Sequence, residues 1–220
     1  MLRRSSQIDL PLREKKSWGG LREGAGRKKK KGAVVSRKAR PALNGSKHSV
    51  HVTMRAVPGI PSLRMLHFWI RRALLAASQK ADFRVVYFSI PGNHLHLIVE
   101  AADKRSLSRG MQGLAVRIAH SVNQALSRKR GKVFSDRYHA HVLKTPSETK
   151  RALAYLIHNY KQHMQEGGRP VRDDFIDPCS SAIYLAGLEK NPFPRPRTWY
   201  LDVGWRKAGG APIKIGRAVL

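Results

Sequence analysis

The sequence has one cysteine, few acidic residues and no long apolar run. Cys179 cannot form an internal disulfide, and there is no second thiol for a zinc cluster, which fits a reducing compartment. No run of about eighteen apolar residues is present, and the N-terminus leads into charge rather than into an apolar signal stretch. We therefore expect a cytoplasmic protein that neither spans a membrane nor is secreted.

The scarcity of acidic residues leaves a large positive charge. The 220 residues include 43 Lys and Arg against 14 Asp and Glu, which gives a formal net charge of +29. This excess is far more than solubility needs, and its sign favours a partner whose surface is phosphate. Nucleic acid is the first candidate partner, ahead of an anionic membrane.

Composition divides the chain into three segments. Residues 1–48 are rich in Lys, Arg and Gly and cannot bury enough apolar surface to fold alone, so they are predicted to form a disordered basic arm. Residues 49–166 carry the periodic patterns of a folded domain. Residues 167–220 form a Pro-rich C-terminal extension, and Trp199 and Trp205 predict that parts of it dock on the core.

The densest part of the basic arm is a candidate DNA contact. It resembles arms that enter the minor groove, although a solvated tail that binds any polyanion fits its composition better. Its candidate DNA-binding residues are Arg27, Lys28, Lys29, Lys30 and Lys31.

Hydrophobic periodicity predicts the elements of the folded domain. The expected elements are a strand at 50–56, a helix at 62–79, strands at 84–90 and 94–100, a helix at 107–126, a strand at 138–144 and a further helix from 146 onward. The order strand, helix, strand, strand, helix, strand is ferredoxin-like, an antiparallel sheet with helices on one face. The predicted fold class is therefore α+β, with an extra C-terminal helix added to the ferredoxin-like unit.

This added helix has a clear start signal. Thr145 is a suitable N-cap, Pro146 stands at the first helical position, and Glu148 follows three residues after the cap. The helix is therefore predicted to begin at Pro146. Its predicted apolar stripe comprises Leu153, Leu156, Ile157, Tyr160 and Met164.

Two His-x-His pairs stand on predicted strands. Residues i and i+2 of a strand share a face, so His94 and His96 can point two imidazoles at one metal ion. The same holds for His139 and His141. Taken alone, either pair is better explained by histidines on a sheet surface that contact phosphate or water.

The added helix makes the first pair more informative. At about 100° per residue, Tyr155 and Asn159 lie together, away from the predicted apolar stripe. If this helix meets the strand of His94 and His96, a phenol and an amide oxygen lie beside the two imidazoles. Lys161 flanks this face, where its long stem reaches a phosphate. A tyrosine that simply lies exposed is the alternative.

Such a group of side chains can cleave a DNA strand. Two imidazoles and a carboxamide leave open positions on a divalent cation, which polarises a phosphodiester oxygen during in-line displacement. A tyrosine phenol has an ordinary pKa near 10, so its attack at neutral pH needs help from the ion or from a cation. Because the phosphotyrosine product retains the energy of the phosphodiester, the reaction is reversible and suits strand transfer.

These motifs carry a resemblance to a known family. His94-Leu95-His96 is a His-hydrophobic-His motif after a Pro and Asn turn, and the downstream helix contains Tyr155-Leu156-Ile157-His158-Asn159. Together with the ferredoxin-like order, they resemble the single-tyrosine HUH transposases, above all the REP-associated tyrosine transposases, relatives of the transposases of the smallest insertion sequences. The resemblance covers roughly residues 50–164 and includes the segment 134–138, Phe-Ser-Asp-Arg-Tyr.

The resemblance implies roles for individual residues. His94 and His96 would be metal ligands and Asn159 the third, with Mg²⁺ or Mn²⁺ as the ion. Tyr155 would be the nucleophile that takes the 5′ phosphate of a single-stranded hairpin DNA and frees a 3′ hydroxyl. The candidate DNA-binding residues of the folded domain are Arg105, Arg109, Arg117 and Lys161. A monomer and a homodimer with exchanged tyrosine helices both stay open.

The sequence departs from the family pattern in two places. The family commonly has Pro-Asn-His where this chain has Pro91-Gly92-Asn93-His94, which lengthens the turn before the histidines. It commonly has Asn-Pro where this chain has Asn159-Tyr160, which lets the helix continue toward Met164. Neither departure removes a catalytic group.

Two other functions are compatible with parts of the sequence. A ferredoxin-like module that only binds RNA or DNA would need aromatic rings on its central strands, and Tyr87 and Phe88 are the candidates. A metal-dependent hydrolase without the tyrosine would need carboxylates near His94, and Glu100 and Asp136 are the nearest in sequence.

Overall fold

The computed structural model of the protein describes residues 42–78 and 80–220. Arg27 and lysines 28–31 of the predicted basic arm lie outside these residues, and so does Gln79, the predicted end of the first helix. The fold is therefore described from residue 42 onward.

A four-stranded antiparallel sheet forms the centre of the fold. The elements are β1 (Ser49–Arg55), α1 (His67–Ala77), β2 (Phe83–Ser89), β3 (His94–Ala101), α2 (Lys104–Ala125), β4 (His139–Leu143) and α3 (Pro146–Glu166). The strand order in the sheet is β2-β3-β1-β4, and each neighbouring pair is antiparallel. Both the order along the chain and the order in the sheet are ferredoxin-like, so the predicted fold class is confirmed.

The two faces of the sheet are covered by different layers. Val50, Val52 and Met54 point one way from β1 into a core shared with α1 and α2. Ile98 points the other way from β3, into a second core that holds residues of α3 and of the C-terminal extension. The alternation predicted for β1 is therefore present, because one of its faces is fully buried while the other carries His51.

The first helix begins later than the sequence predicts. The apolar pattern predicts a start near residue 62, but α1 begins at His67 and the preceding residues form turns. The Leu63 amide donates to the Gly92 carbonyl (2.7 Å), and the Arg64 guanidinium pairs with Asp177 (2.8 Å). These contacts hold the segment to the β2–β3 turn and the C-terminal extension, which overrides its helical pattern.

The added helix has the predicted start and a different buried face. The Thr145 hydroxyl accepts from the Glu148 amide (3.1 Å), and α3 runs on to Glu166. Tyr160, however, is only half-buried, and the Arg64 guanidinium lies 3.4 Å from its ring centroid. Asn159 is buried instead, with 1% of its surface exposed. The predicted apolar stripe is therefore wrong at its C-terminal end.

The C-terminal extension contains short elements. These are α4 (Ala182–Leu185), a π-helical turn (Tyr200–Gly204), α5 (Trp205–Lys207), and the two-stranded sheet of β5 (Lys214–Ile215) and β6 (Ala218–Val219). Trp205 is 2% exposed and packs in the same core as α3, whereas Trp199 is 46% exposed. Trp205 therefore packs against the core, and Trp199 stays largely at the surface. No helix in the described part of the chain is long and apolar enough to cross a membrane.

Two glycines of α2 provide a test of the packing between α2 and the sheet. A Cβ added at Gly110 would lie 2.1 Å from Cγ of the buried Phe83 ring, whereas one added at Gly113 would meet nothing within 4 Å. We expect Gly110→Ala to lower the free energy of unfolding by about 1–3 kcal/mol through overpacking. Gly113→Ala, the matched control, should raise it by about 0.5–1 kcal/mol. Urea unfolding measures both, and equal effects would contradict this packing.

Candidate active site

The two histidines of β3 lie on the face of the sheet that α3 covers. Strand pairing places His94 opposite Arg55 and His96 opposite Thr53 of β1. The two rings are nearly parallel, with centroids 6.1 Å apart and planes 22° apart. His96 is buried and His94 is half-buried. The predicted shared face is therefore present, and the two side chains differ in depth.

Tyr155 reaches this pair from α3. Its ring meets the His96 ring edge-on, with centroids 5.4 Å apart and an interplanar angle of 90°. The Tyr155 side of the helix is still open, since 42% of the residue is exposed. The helix and the strand thus meet, which the sequence analysis had left as a condition, and a partly exposed phenol lies beside a buried imidazole.

His51 is the functional candidate that the sequence analysis missed. Its ring stacks on His96 (centroids 5.5 Å, 23°) and meets the Tyr155 ring at 5.9 Å. Its Nε2 is buried, with no hydrogen-bond partner among the described residues. A signal was available, because the ferredoxin-like order places β1 next to the strand that carries His96.

Thr53 orients the His96 ring. The Thr53 Oγ1 lies 3.2 Å from His96 Nδ1, at hydrogen-bond distance. When Nδ1 donates to this hydroxyl, the lone pair of the ring is on Nε2. A partner on one ring nitrogen that fixes the tautomer is the usual arrangement around metal-binding histidines.

The electrostatics of the site keep its imidazoles neutral. Burial, followed by the repulsion between a protonated His96 and protonated His51, His94 or His163, lowers the pKa of His96 to about 3. Burial, followed by His141 and His139, lowers the pKa of His51 to about 4. Neutral imidazoles at physiological pH have free lone pairs, and metal ligation requires that state.

The pKa of the His94 imidazole is lowered as well. Burial is the largest cause, and Arg55 and His163 add to it.

Asn159 provides a buried amide at one helical turn from Tyr155. Neither its Oδ1 nor its Nδ2 has a hydrogen-bond partner among the described residues. Buried amides are almost always hydrogen-bonded, so this side chain is suited to a ligand that the protein itself does not supply. Its carbonyl oxygen is a donor type that Mg²⁺ and Mn²⁺ accept. Within residues 42–78 and 80–220, no three His, Cys, Asp or Glu side chains are grouped to hold a metal ion.

Three of the predicted DNA-binding cations lie across the sheet from Tyr155. Arg105, Arg109 and Arg117 are exposed on α2, in the layer on the other side of the sheet. Lys161 is on α3, and the Asp173 carboxylate lies 3.3 Å from its Nζ. The structure therefore separates the three arginines from the histidines and engages Lys161 in an ion pair.

The groups needed by the alternative functions are engaged elsewhere. Tyr87 and Phe88 are 5% and 1% exposed, so neither offers a stacking surface on the sheet. Glu100 is buried and accepts from the Thr198 amide (2.7 Å). Asp136 is exposed and accepts from the amide of the next residue (2.7 Å). These contacts disfavour both a stacking module and a carboxylate-based hydrolase.

Known proteins are similar to the chain in sequence and in fold. Residues 64–159 match the family described as "Transposase IS200 like", and the match spans His94, His96, Tyr155 and Asn159. No curated protein matches the chain. A solved structure described as "Structure of the REP associates tyrosine transposase bound to a REP hairpin" is 15% identical, with a TM-score of 0.52. The similarity covers 72% of this chain and 88% of that one.

At this identity the structural likeness establishes the fold. The family match agrees with the resemblance that the sequence motifs carry, which is thereby confirmed. Over residues 64–159 the chain is therefore similar to the IS200-like transposase family.

Proposed function

We propose that this transposase nicks and rejoins single-stranded hairpin DNA through a covalent bond between Tyr155 and a 5′ phosphate, with the help of a divalent metal ion. The observation that carries the proposal is the edge-on contact between the Tyr155 and His96 rings, at 5.4 Å. It brings a nucleophile of the right chemical type to a pair of neutral imidazoles on a rigid strand.

The substrate class is inferred from charge and from the structural neighbour. The net charge of +29 favours a polyanion, and the solved neighbour is bound to a REP hairpin. Arg105, Arg109 and Arg117, together with the basic arm, would bind phosphates without reading sequence. Lys161 would join them once a phosphate displaces its contact with Asp173.

The residues beside Tyr155 are suited to Mg²⁺ or Mn²⁺. Nε2 of His96, a ring nitrogen of His94 and Oδ1 of Asn159 would hold the ion, and the unpartnered amide of Asn159 is the feature that favours this set. The bound ion would supply Lewis-acid polarisation of a phosphodiester oxygen. Thr53 would keep the His96 ring in the orientation that presents Nε2.

Tyr155 would carry out the transfer. Its Oη attacks the phosphorus in line with the leaving 3′ oxygen, so that an Oη–P bond forms as the P–O3′ bond breaks. The phenol proton is lost, and the leaving oxygen takes up a proton to become the free 3′ hydroxyl. Attack by a 3′ hydroxyl on the phosphotyrosine reverses these steps and joins two strands. No water is consumed, which distinguishes transfer from hydrolysis.

Metal removal tests the proposal. A labelled single-stranded hairpin oligonucleotide incubated with the protein and Mn²⁺ should yield an adduct that survives denaturing electrophoresis. Adduct formation should fall to background in excess chelator and return when Mn²⁺ or Mg²⁺ is added back, because the ion polarises the phosphodiester. DNA binding, followed by fluorescence anisotropy, should persist in the chelator.

Two outcomes would contradict the proposal in different ways. Equal adduct with and without chelator would remove the metal from the mechanism. Tight hairpin binding with no adduct under any divalent ion would leave a protein that binds DNA without cleaving it.

A further inference from the structure

The second His-x-His pair lies on the same face of the sheet as the candidate active site. In the register of β1 with β4, His141 is opposite His51 and His139 is opposite Thr53. Thr53 is also opposite His96 on the other side of β1. Directly opposed residues of antiparallel strands point to the same face. The pair of β4 therefore faces the side of the sheet on which Tyr155 lies.

A row of imidazoles thus crosses the sheet from Tyr155 to its edge. His51 stands between His96, whose ring centroid is 5.5 Å away, and His141 on β4. The buried end of the row is His96, whereas His139 and His141 are exposed, and β4 is an edge strand. The row therefore leads from the protein surface to the phenol.

Arg55 adds a permanent positive charge beside this row. It is one of the groups that lower the pKa of His94, together with burial and His163, and His163 itself lies 3.4 Å from the Glu166 carboxylate. Arg55 is exposed and lies opposite His94 at the other end of the same strand face. A guanidinium on the same face as exposed imidazoles, which can donate hydrogen bonds, suits an anionic ligand.

We propose that Arg55, His139 and His141 form a phosphate track that leads the DNA strand along the β1–β4 face to Tyr155. The two imidazoles of β4 are about 6.8 Å apart along the strand, so each can donate to a different phosphate. The Arg55 guanidinium can hold a further phosphate in a bidentate contact beside His94. This inference rests on the proposed function and adds the path that the substrate takes.

A neutral-phosphate scan tests the track. In a Tyr155→Phe background, the affinity for a single-stranded hairpin oligonucleotide is measured by anisotropy, with one phosphate at a time replaced by a methylphosphonate. Each track contact should make one position lose about tenfold in affinity. In the double variant His139→Gln/His141→Gln, methylphosphonate substitution should no longer lower the affinity at two of these positions, while its effect at all other positions stays the same. In Arg55→Gln the effect should disappear at a different position.

His120→Gln is the matched control. His120 is exposed on α2, in the layer on the other side of the sheet, so this variant should keep the full pattern of the Tyr155→Phe background. Thermal unfolding identifies any variant that is not folded, and Gln keeps size and polarity close to those of histidine. An unchanged pattern in the folded double variant and in Arg55→Gln would overturn the track.

The scan separates the track from the chemistry, because it needs no phenol and no cleavage. If the parent forms no covalent adduct, but the variants lose the effect of methylphosphonate at the predicted positions, the proposed reaction is wrong and the track is supported. If the parent forms the adduct and the pattern never changes, the track is wrong and the proposed reaction is supported.

Discussion

Replacing Tyr155 with phenylalanine is expected to abolish the covalent protein–DNA adduct, by at least about 10³-fold in rate, because no other atom takes over the role of the attacking oxygen. The phenyl ring keeps the edge-on contact with His96, since that contact involves ring atoms rather than the hydroxyl. Folding and DNA affinity should therefore stay close to those of the parent. Denaturing electrophoresis of the labelled adduct, with single-turnover kinetics, measures the loss.

Tyr160→Phe is the matched control for this prediction. Tyr160 lies on the same helix, but its ring stacks over the Arg64 guanidinium at 3.4 Å and meets Phe175 at 6.0 Å. Removal of its hydroxyl should leave adduct formation unchanged. Full adduct from Tyr155→Phe would show that the nucleophile is another group, and loss from Tyr160→Phe would point to that tyrosine instead.

The predictable part of the site was set by local periodicity. Residues two apart on a strand share a face, which was enough to pair His94 with His96. Tyr155 and Asn159 are one helical turn apart, which was enough to predict that they act together. The contact between helix and strand did not follow from periodicity; it came from the resemblance to the transposases, and the 5.4 Å ring contact agrees with it.

Tertiary contacts decided the features that local patterns did not predict. Arg64 is drawn out of a helical pattern by Asp177, which lies 113 residues further along the chain. Asn159 lies on what the pattern assigned to the polar side of α3, yet it is 1% exposed, and Tyr155 one turn before it contacts His51 and His96 of the sheet. Polar residues that break a pattern at buried positions are often functional, which is the situation of Asn159.

The position of His51 depends both on local periodicity and on tertiary contacts. Its place on the polar face of β1 followed from alternation with Val50 and Val52. Its contact with His96 depended on which strands flank β1, and that is a property of the sheet order. Combining the two predictions would have found it, since the ferredoxin-like order fixes β3 and β4 as the neighbours of β1.

Replacing Glu100 with alanine is expected to lower the free energy of unfolding by about 3–5 kcal/mol, the usual cost of removing one partner of a buried ion pair. The Glu100 side chain is 4% exposed and pairs with Arg84. Its Oε1 also accepts from the Arg197 amide (2.8 Å), the Thr198 amide (2.7 Å) and the Thr198 hydroxyl (2.9 Å). Chemical denaturation measures the loss. Without the carboxylate, a guanidinium and two amides remain buried and unpaired.

Glu189→Ala is the matched control for this loss. Glu189 also pairs with an arginine, Arg71 at 3.3 Å, but the two side chains are 34% (Arg71) and 51% (Glu189) exposed, so its removal should cost no more than about 1 kcal/mol. Equal losses from Glu100→Ala and Glu189→Ala would contradict the anchoring role of Glu100.

The double variant Arg84→Met/Glu100→Met separates two causes of the stability loss in Glu100→Ala, the unpaired guanidinium and the unpaired amides. It removes the guanidinium that Glu100→Ala leaves unpaired, so its free energy of unfolding should lie above that of Glu100→Ala. It cannot recover all of the lost stability, because the amides of Arg197 and Thr198 still lack an acceptor.

The Glu100 anchor also links stability to the candidate active site. It holds residues 197 and 198 to the end of β3, and Trp205 follows a short distance along the chain in the core that contains Leu153 and Leu156 of α3. Tyr155 stands on that same stretch of helix. Loss of the anchor should therefore expose the C-terminal extension to proteolysis first, and adduct formation should decline in step with the loosening of α3 rather than before it.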